Sequence, residues 1–372
     1  QTGNDMKFLA KLSNRLKSNV CLGGTVYRGH QLSIPVDHQS LLLRCRNHEL
    51  TVTPEALGTA FLIPALSQGR RLVMDAADDV WYRNQEQVQK IVCDWWGYTP
   101  QPVQAKTILQ GTNTPYNRVG LAFSLGVDSM YSLFFADPRP NLLVLVGGFD
   151  VPLGNKKILD AMVASTKDIA QEMGMDWTLV ETNIRKNYLF RRASWEKTHG
   201  AAVAFVGMAL SKHIGSFFIS SGFHVDDKIP WGSHPDLDHL HGTSFLNVIH
   251  AGADVRRIDK IRQIISHPVS RSLFKKHVRV CWENPSETGN CGYCSKCVLL
   301  RLSLLKLEAG FCPDTMPNHH PLAEIIESHP PLLNVASIAC RKEVLGIKDP
   351  VINRALIRYI ERSEAAIAAI DN

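Results

Sequence analysis

The chain has 372 residues, 45% hydrophobic and 20% charged, a globular composition that argues against extended disorder. Lys and Arg number 41 against 35 Asp and Glu, and the formal net charge of +6 suits anionic substrates such as nucleotides. The basic residues are scattered rather than blocked, so charge does not favour nucleic-acid contact. No stretch reaches the roughly eighteen apolar residues of a membrane span, and the N-terminus carries no signal-peptide pattern, so a cytoplasmic protein is expected.

In chain order, Lys7 to Lys17 reads as a short amphipathic helix, and Gln31 to Val52 contains strands. Thr53-Pro54-Glu55 starts a helix through Leu66, with Pro at the first helical position, and Asp79 to Trp96 reads as another. Gly97-Tyr98-Thr99-Pro100 and Gly111-Thr112-Asn113-Thr114-Pro115 are dense turn signals, which close an α+β unit over residues 1–112. Nothing in the residues of that unit selects a role for it.

From Arg118 the pattern becomes strand, helix, strand, helix. The expected strands are Val119–Phe123, Leu142–Val146, Trp177–Val180, Ser216–Ile219 and Val278–Cys281. Helices fit at Met130–Phe135, Lys156–Met173, Ala201–Leu210 and Ile258–Ile265, and after Cys297 at Val298–Leu307, Leu322–Ser328 and Val351–Ile370. Apolar strands alternating with helices predict a parallel sheet covered on both faces, within a second domain over residues 113–372. Such sheets bind ligands beyond the carboxyl ends of their strands.

Ser124-Leu125-Gly126-Val127-Asp128-Ser129 follows the first of these strands and opens a helix. A strand running through a small turn into a helix leaves backbone N–H groups free for phosphate. The Ser124 and Ser129 hydroxyls add donors, and Asp128 supplies a carboxylate for Mg²⁺ or for the first N–H groups of the helix. Simple helix capping is the plain alternative. The turn is neither a Walker loop nor a Rossmann Gly-x-Gly-x-x-Gly.

Of the 9 cysteines, Cys21, Cys45, Cys93, Cys312 and Cys340 are isolated, whereas Cys281, Cys291, Cys294 and Cys297 cluster. Cys-x-x-Cys-x-x-Cys with a fourth cysteine upstream suits a closed, structural Zn²⁺ site. An iron–sulfur cluster held by three of them is the competing assignment.

Together these motifs resemble the N-type ATP pyrophosphatases, whose pyrophosphate loop has the usual form Ser-Gly-Gly-x-Asp-Ser/Thr. Ser124, Gly126, Asp128 and Ser129 match, and Leu125 replaces a glycine. With Asn290-Cys291-Gly292-Tyr293-Cys294-Ser295-Lys296-Cys297, Arg301 and Gly310-Phe311 downstream, the chain resembles the 7-cyano-7-deazaguanine synthase group in particular, over roughly Arg118 to Phe311. The resemblance implies an adenine nucleotide alpha hydrolase-like (HUP) parallel-sheet domain, followed by a zinc-bound helical part. It implies ATP, with pyrophosphate leaving into Ser124–Ser129 after a substrate oxygen attacks the α-phosphate. Lys260 is implied to face the nucleotide.

Other candidates lie at the ligand edge. Arg185, after the third strand, is a candidate clamp for carboxylate or phosphate, whereas Lys186, Arg191 and Arg192 read as solvated loop residues. His199 reads equally as an acid/base or a structural histidine. The loop Trp231-Gly232-Ser233-His234-Pro235-Asp236-Leu237-Asp238 could hold Mg²⁺ or the reacting group, with capping by Asp as the plain alternative. His319-His320 carries no expected role. The expected catalytic set is thus Asp128, Ser129, Arg185 and Lys260. The expected reaction is adenylation of a small-molecule or peptide carboxylate, or of an amide oxygen, then C–N bond formation with ammonia or an amine, in a homodimer. Sulfur transfer through the same adenylation, or nucleotide binding without catalysis, are the alternatives.

Overall fold

The structure, a computed structural model, describes residues 19–111, 116–284, 289–317 and 321–370. The helix expected at Lys7 to Lys17, the boundary at residue 112 and His319-His320 lie outside the described residues.

The first part contains β1 (Asn19–Gly23), β2 (Tyr27–Gly29), β3 (Gln31–Val36), β4 (Gln39–Cys45), β5 (Leu50–Val52), helix α1 (Pro54–Leu66), β6 (Arg71–Asp78), helix α2 (Asp79–Trp96) and β7 (Gln104–Leu109). Both helices match their expected bounds. Pro54 opens α1, where its missing N–H costs nothing. The Asp78 carboxylate accepts from Trp81 N–H at the start of α2, and Gly97, left-handed at φ 67°, ends it.

The second part runs β8 (Val119–Ala122), α3 (Val127–Phe135), β9 (Leu142–Gly147), α4 (Lys156–Glu172), β10 (Asp176–Thr182), α5 (Tyr188–Arg192), α6 (Trp195–Ala209), β11 (Ser216–Ser220), α7 (Pro235–Asp238), β12 (Asn247–Ala251), α8 (Arg257–Ser266) and α9 (Pro268–His277). Then come α10 (Ser295–Lys306), α11 (Leu322–Ser328), α12 (Val335–Lys342) and α13 (Pro350–Ile370). Two expectations fail here. Val278–Cys281 is not a strand, because its polar backbone groups bond the Asn290 side chain and a neighbouring turn rather than a strand partner. The fifth parallel strand is instead β12, which the sequence reading missed. The helices at Pro268–His277 and Val335–Lys342 were missed as well.

A seven-stranded sheet has the order β12-β11-β8-β9-β10-β4-β3. Its strands β12 to β10 are mutually parallel, β4 adds antiparallel to β10, and β3 pairs antiparallel with β4 at the edge. Alternation along β9 sends Leu142 and Val144 to one core and Leu143 and Leu145 to the other. The first core joins β3, β4, α1 and α6, so apolar residues from both sides of residue 112 pack together. The second lies under α3, α4 and α8 and includes the four clustered cysteines. The C-terminal helices form a third.

Counting only the parallel strands, β8 is first in sequence and β11 fourth, and they are neighbours. Successive strands therefore run outward in opposite directions from β8. Connections leave on opposite sides at that point, which opens a crevice beyond the strand ends. The turn Ser124–Ser129 follows β8 and lies there.

Candidate active site and metal centre

The turn is tied by its own hydroxyls. Ser129 Oγ donates to Gly126 O at 3.1 Å and accepts from Ser124 N–H at 3.3 Å, while Ser124 Oγ accepts from Gly126 N–H at 3.3 Å. Gly126 is the residue before α3, and no side chain caps that helix end, so its first N–H groups face the crevice side of the turn unclaimed by a cap. Leu125 has φ 64°, in the left-handed region that a Cβ disfavours, and its carbonyl accepts from Arg279 N–H at 2.9 Å.

Asp128 sits in the first turn of α3, between two cations from α8. Arg257 Nη1 lies 2.5 Å from Oδ2 and Lys260 Nζ 3.3 Å from Oδ1. Burial alone would raise the Asp128 carboxyl, but Arg257 and Lys260 beside it hold it below its ordinary value. Lys260 is 1% exposed, donates to Ser221 O at 2.7 Å and lies 5.7 Å from the centre of the Tyr131 ring. The two cations and one anion leave a local charge of +1 beside unclaimed helix N–H groups. That combination attracts a polyphosphate. Both Asp128 oxygens are engaged by these cations, so the carboxylate orients them as well as carrying charge of its own.

The four cysteines converge as expected. The Sγ atoms of Cys281, Cys291, Cys294 and Cys297 all lie within 4.8 Å of one another and are buried. Tetrahedral Zn–S bonds of about 2.3 Å place sulfurs nearly 4 Å apart, and the Cys291–Cys297 and Cys294–Cys281 sulfur pairs lie at 3.9 and 4.0 Å. Thiol hydrogen bonds from Cys294 and Cys297 draw the Cys281 thiol far below its ordinary value, and the same bond pushes Cys294 up to about 12. Ionising four thiols buried this close together requires a cation. The donor set therefore fits a metal ion such as zinc.

Asn290, fully buried, braces this centre. Its Oδ1 accepts from Val280 N–H at 2.8 Å and Cys281 N–H at 3.2 Å, and its Nδ2 donates to Val278 O and Thr315 Oγ1.

The remaining candidates are dispersed. Arg185 follows β10, but its guanidinium donates to Phe149 O at 2.7 Å and stacks over the Trp195 ring at 4.6 Å. The structure does not join it to Asp128 or the serines. Asp238 is fully buried and bonded, accepting from Ser233 Oγ and lying 2.7 Å from His250 Nδ1; that bond overrides burial and holds its carboxyl below its ordinary value. Asp236 is exposed beside His234. This loop thus holds one buried carboxylate already hydrogen-bonded to Ser233 and His250, rather than two carboxylates available to Mg²⁺. Phe223, Trp231, Ser233 and His234 of the same region line a cleft with Ser221, the residue whose carbonyl holds Lys260. His199 is half-buried beside the Trp231 ring, and desolvation lowers its pKa.

Sequence reasoning missed Asn290 as a brace and His250 as the Asp238 partner. A buried Asn outside any helix or strand has no local signature, and His250 lies within β12, the strand missed from the sequence. No protein-family model, curated protein or solved structure matches the chain.

Proposed function

We propose that the chain is an ATP-dependent adenylating enzyme of the N-type ATP pyrophosphatase kind, akin to the 7-cyano-7-deazaguanine synthases. The observation that carries this reading is the Ser124–Ser129 turn at the crevice between β8 and β11, with Arg257 and buried Lys260 held beside it by Asp128.

In this reading the turn's N–H groups and serine hydroxyls hold the β- and γ-phosphates of ATP. A substrate carboxylate or amide oxygen attacks the α-phosphorus, the bond to the bridging oxygen breaks, and pyrophosphate remains on the turn. Arg257 and Lys260 offset the charge that gathers on the departing pyrophosphate, and Asp128 keeps both in place. Mg²⁺ accompanying the nucleotide would supply further neutralisation. Ammonia or an amine then displaces AMP and completes a C–N bond. The four-cysteine centre is structural in this scheme: its sulfurs face one another, which leaves none free to carry sulfur to a substrate.

A pyrophosphate-release screen against carboxylate metabolites, deazapurine acids and peptides tests the reading, with Asp128→Ala as control. Release should require ATP and one substrate class, and should fall by about 10²–10³ in the variant, the range for losing a main electrostatic stabiliser. Release that survives Asp128→Ala would remove the site from the turn.

A further inference from the structure

Leu125 links two parts of the molecule. It bears a side chain although its φ of 64° is in the left-handed region. That side chain is 1% exposed and packs in the same core cluster as Cys281, Cys291, Cys294 and Cys297. Its carbonyl accepts from Arg279 N–H at 2.9 Å, two residues before Cys281.

The segment carrying Arg279 has no strand neighbour to hold it. Asn290 fixes it, bonding Val280 N–H, Cys281 N–H and the Val278 carbonyl, and Asn290 directly precedes Cys291. Both ends of this small unit are therefore cysteines of the cluster. An ion gathering the four sulfurs fixes the segment; the segment fixes the Leu125 carbonyl, and the Leu125 side chain lies in the same core as the cysteines. Without the ion, the four buried thiols are held near one another only by weak sulfur–sulfur contacts and by the Asn290 bonds. Leu125 then loses both restraints and relaxes toward negative φ, which turns the peptide planes of the phosphate turn.

We propose that Leu125 is a positioning residue that pins the phosphate turn to the four-cysteine centre, so that anion binding at Ser124–Ser129 depends on the metal ion. The choice of pyrophosphate as ligand rests on the nucleotide reading above; the mechanical link does not.

The test uses the full chain, metal-loaded and chelator-stripped, as wild type, Leu125→Ala and Leu125→Gly. Inorganic pyrophosphate binding is read by calorimetry and amide hydrogen exchange is followed at 124–129, with Leu142–Gly147 as the check that the sheet stays folded. Stripping should weaken wild-type binding about 5- to 30-fold, the equilibrium ratio equivalent to the left-handed penalty, and should speed exchange at 124–129 alone. Leu125→Ala keeps the strain and the carbonyl bond to Arg279 but loses the packed side chain, so it should bind more weakly than wild type when loaded and lose less on stripping. Leu125→Gly adopts the left-handed conformation freely, so it should bind better than Leu125→Ala and respond little to stripping.

If packing alone mattered, Gly would bind worse than Ala. That order, or an equal loss in wild type and Leu125→Gly, overturns the pin. Should loaded wild type bind no pyrophosphate, the nucleotide reading falls. The pin is then judged by exchange alone, and unchanged rates at 124–129 on stripping overturn it. Should stripping also loosen Leu142–Gly147, the order of Gly and Ala in the loaded protein decides.

Discussion

Removing the Asp128 carboxylate should cost stability as well as chemistry, and the amount follows from the groups it leaves behind. Asp128→Ala strands Lys260, whose side chain is 2% exposed and keeps only the Ser221 carbonyl as an acceptor at 2.7 Å. Deleting one partner of a buried ion pair costs about 3–5 kcal/mol. The lower end, about 3 kcal/mol, applies here because the Asp128 side chain is 20% exposed and Arg257 can turn to solvent. For a chain of this size that is a fall in Tm of about 4 °C. Lys260→Met alone also destabilises, since it leaves the Ser221 carbonyl without its donor and Asp128 with one cation. The double variant removes the stranded charge, so it should be more stable than the sum of the single losses by about 1–2 kcal/mol. Calorimetric unfolding of the four proteins without nucleotide measures the cycle. Additive losses, or an Asp128→Ala protein as stable as its parent, would show that Asp128 and Lys260 are not coupled as described.

Two further outcomes are expected. His241 is buried with neither ring nitrogen hydrogen-bonded among the described residues, and burial lowers its pKa to about 4. The unfolded chain takes up this proton near pH 6.5 and the folded one only near 4, so stability falls as pH drops through that window, by up to about 3 kcal/mol. His241→Phe should flatten urea midpoints between pH 6.5 and 4, and an unchanged slope would refute the assignment. Gly200 lies inside α6, and a Cβ there would come 2.0 Å from the Gly232 carbonyl oxygen. Gly200→Ala should therefore destabilise by about 1–3 kcal/mol despite the better helix propensity of alanine; a raised Tm would contradict the close approach.

Much of the architecture could be read from local chemistry. Helices α1 and α2 begin and end at a proline, an aspartate cap and a left-handed glycine, each of which acts over one turn. The cysteine spacing likewise predicts convergence, because three of the ligands lie within seven residues, Cys291 to Cys297. Val278–Cys281 misled because alternating valines look the same whether their backbone meets a strand or an asparagine side chain. Strand β12 escaped because it is short and carries Asn247 and His250 among its apolar residues. The pairing of Asp128 with Arg257 and Lys260 joins positions more than 120 residues apart, and the orientation of Arg185 toward Phe149 depends on a loop from another strand. No local pattern encodes either.

The hairpin β3–β4 sets an order of assembly. Arg44 bonds Glu181 at a sequence separation of 137, so β4 reaches its neighbour β10 only after that strand has left the ribosome. Until then β4 offers an unpaired edge during synthesis, at about 5–20 residues per second. Its apolar residues Leu41 and Leu43, buried in the finished core, are exposed in the meantime. The outer strand β3 carries Pro35, which cannot donate to another strand and so discourages pairing with a second nascent chain. Long-range closure of this kind is slow, so the time between translation of β4 and β10 is the interval in which the β4 edge stays open to other partners.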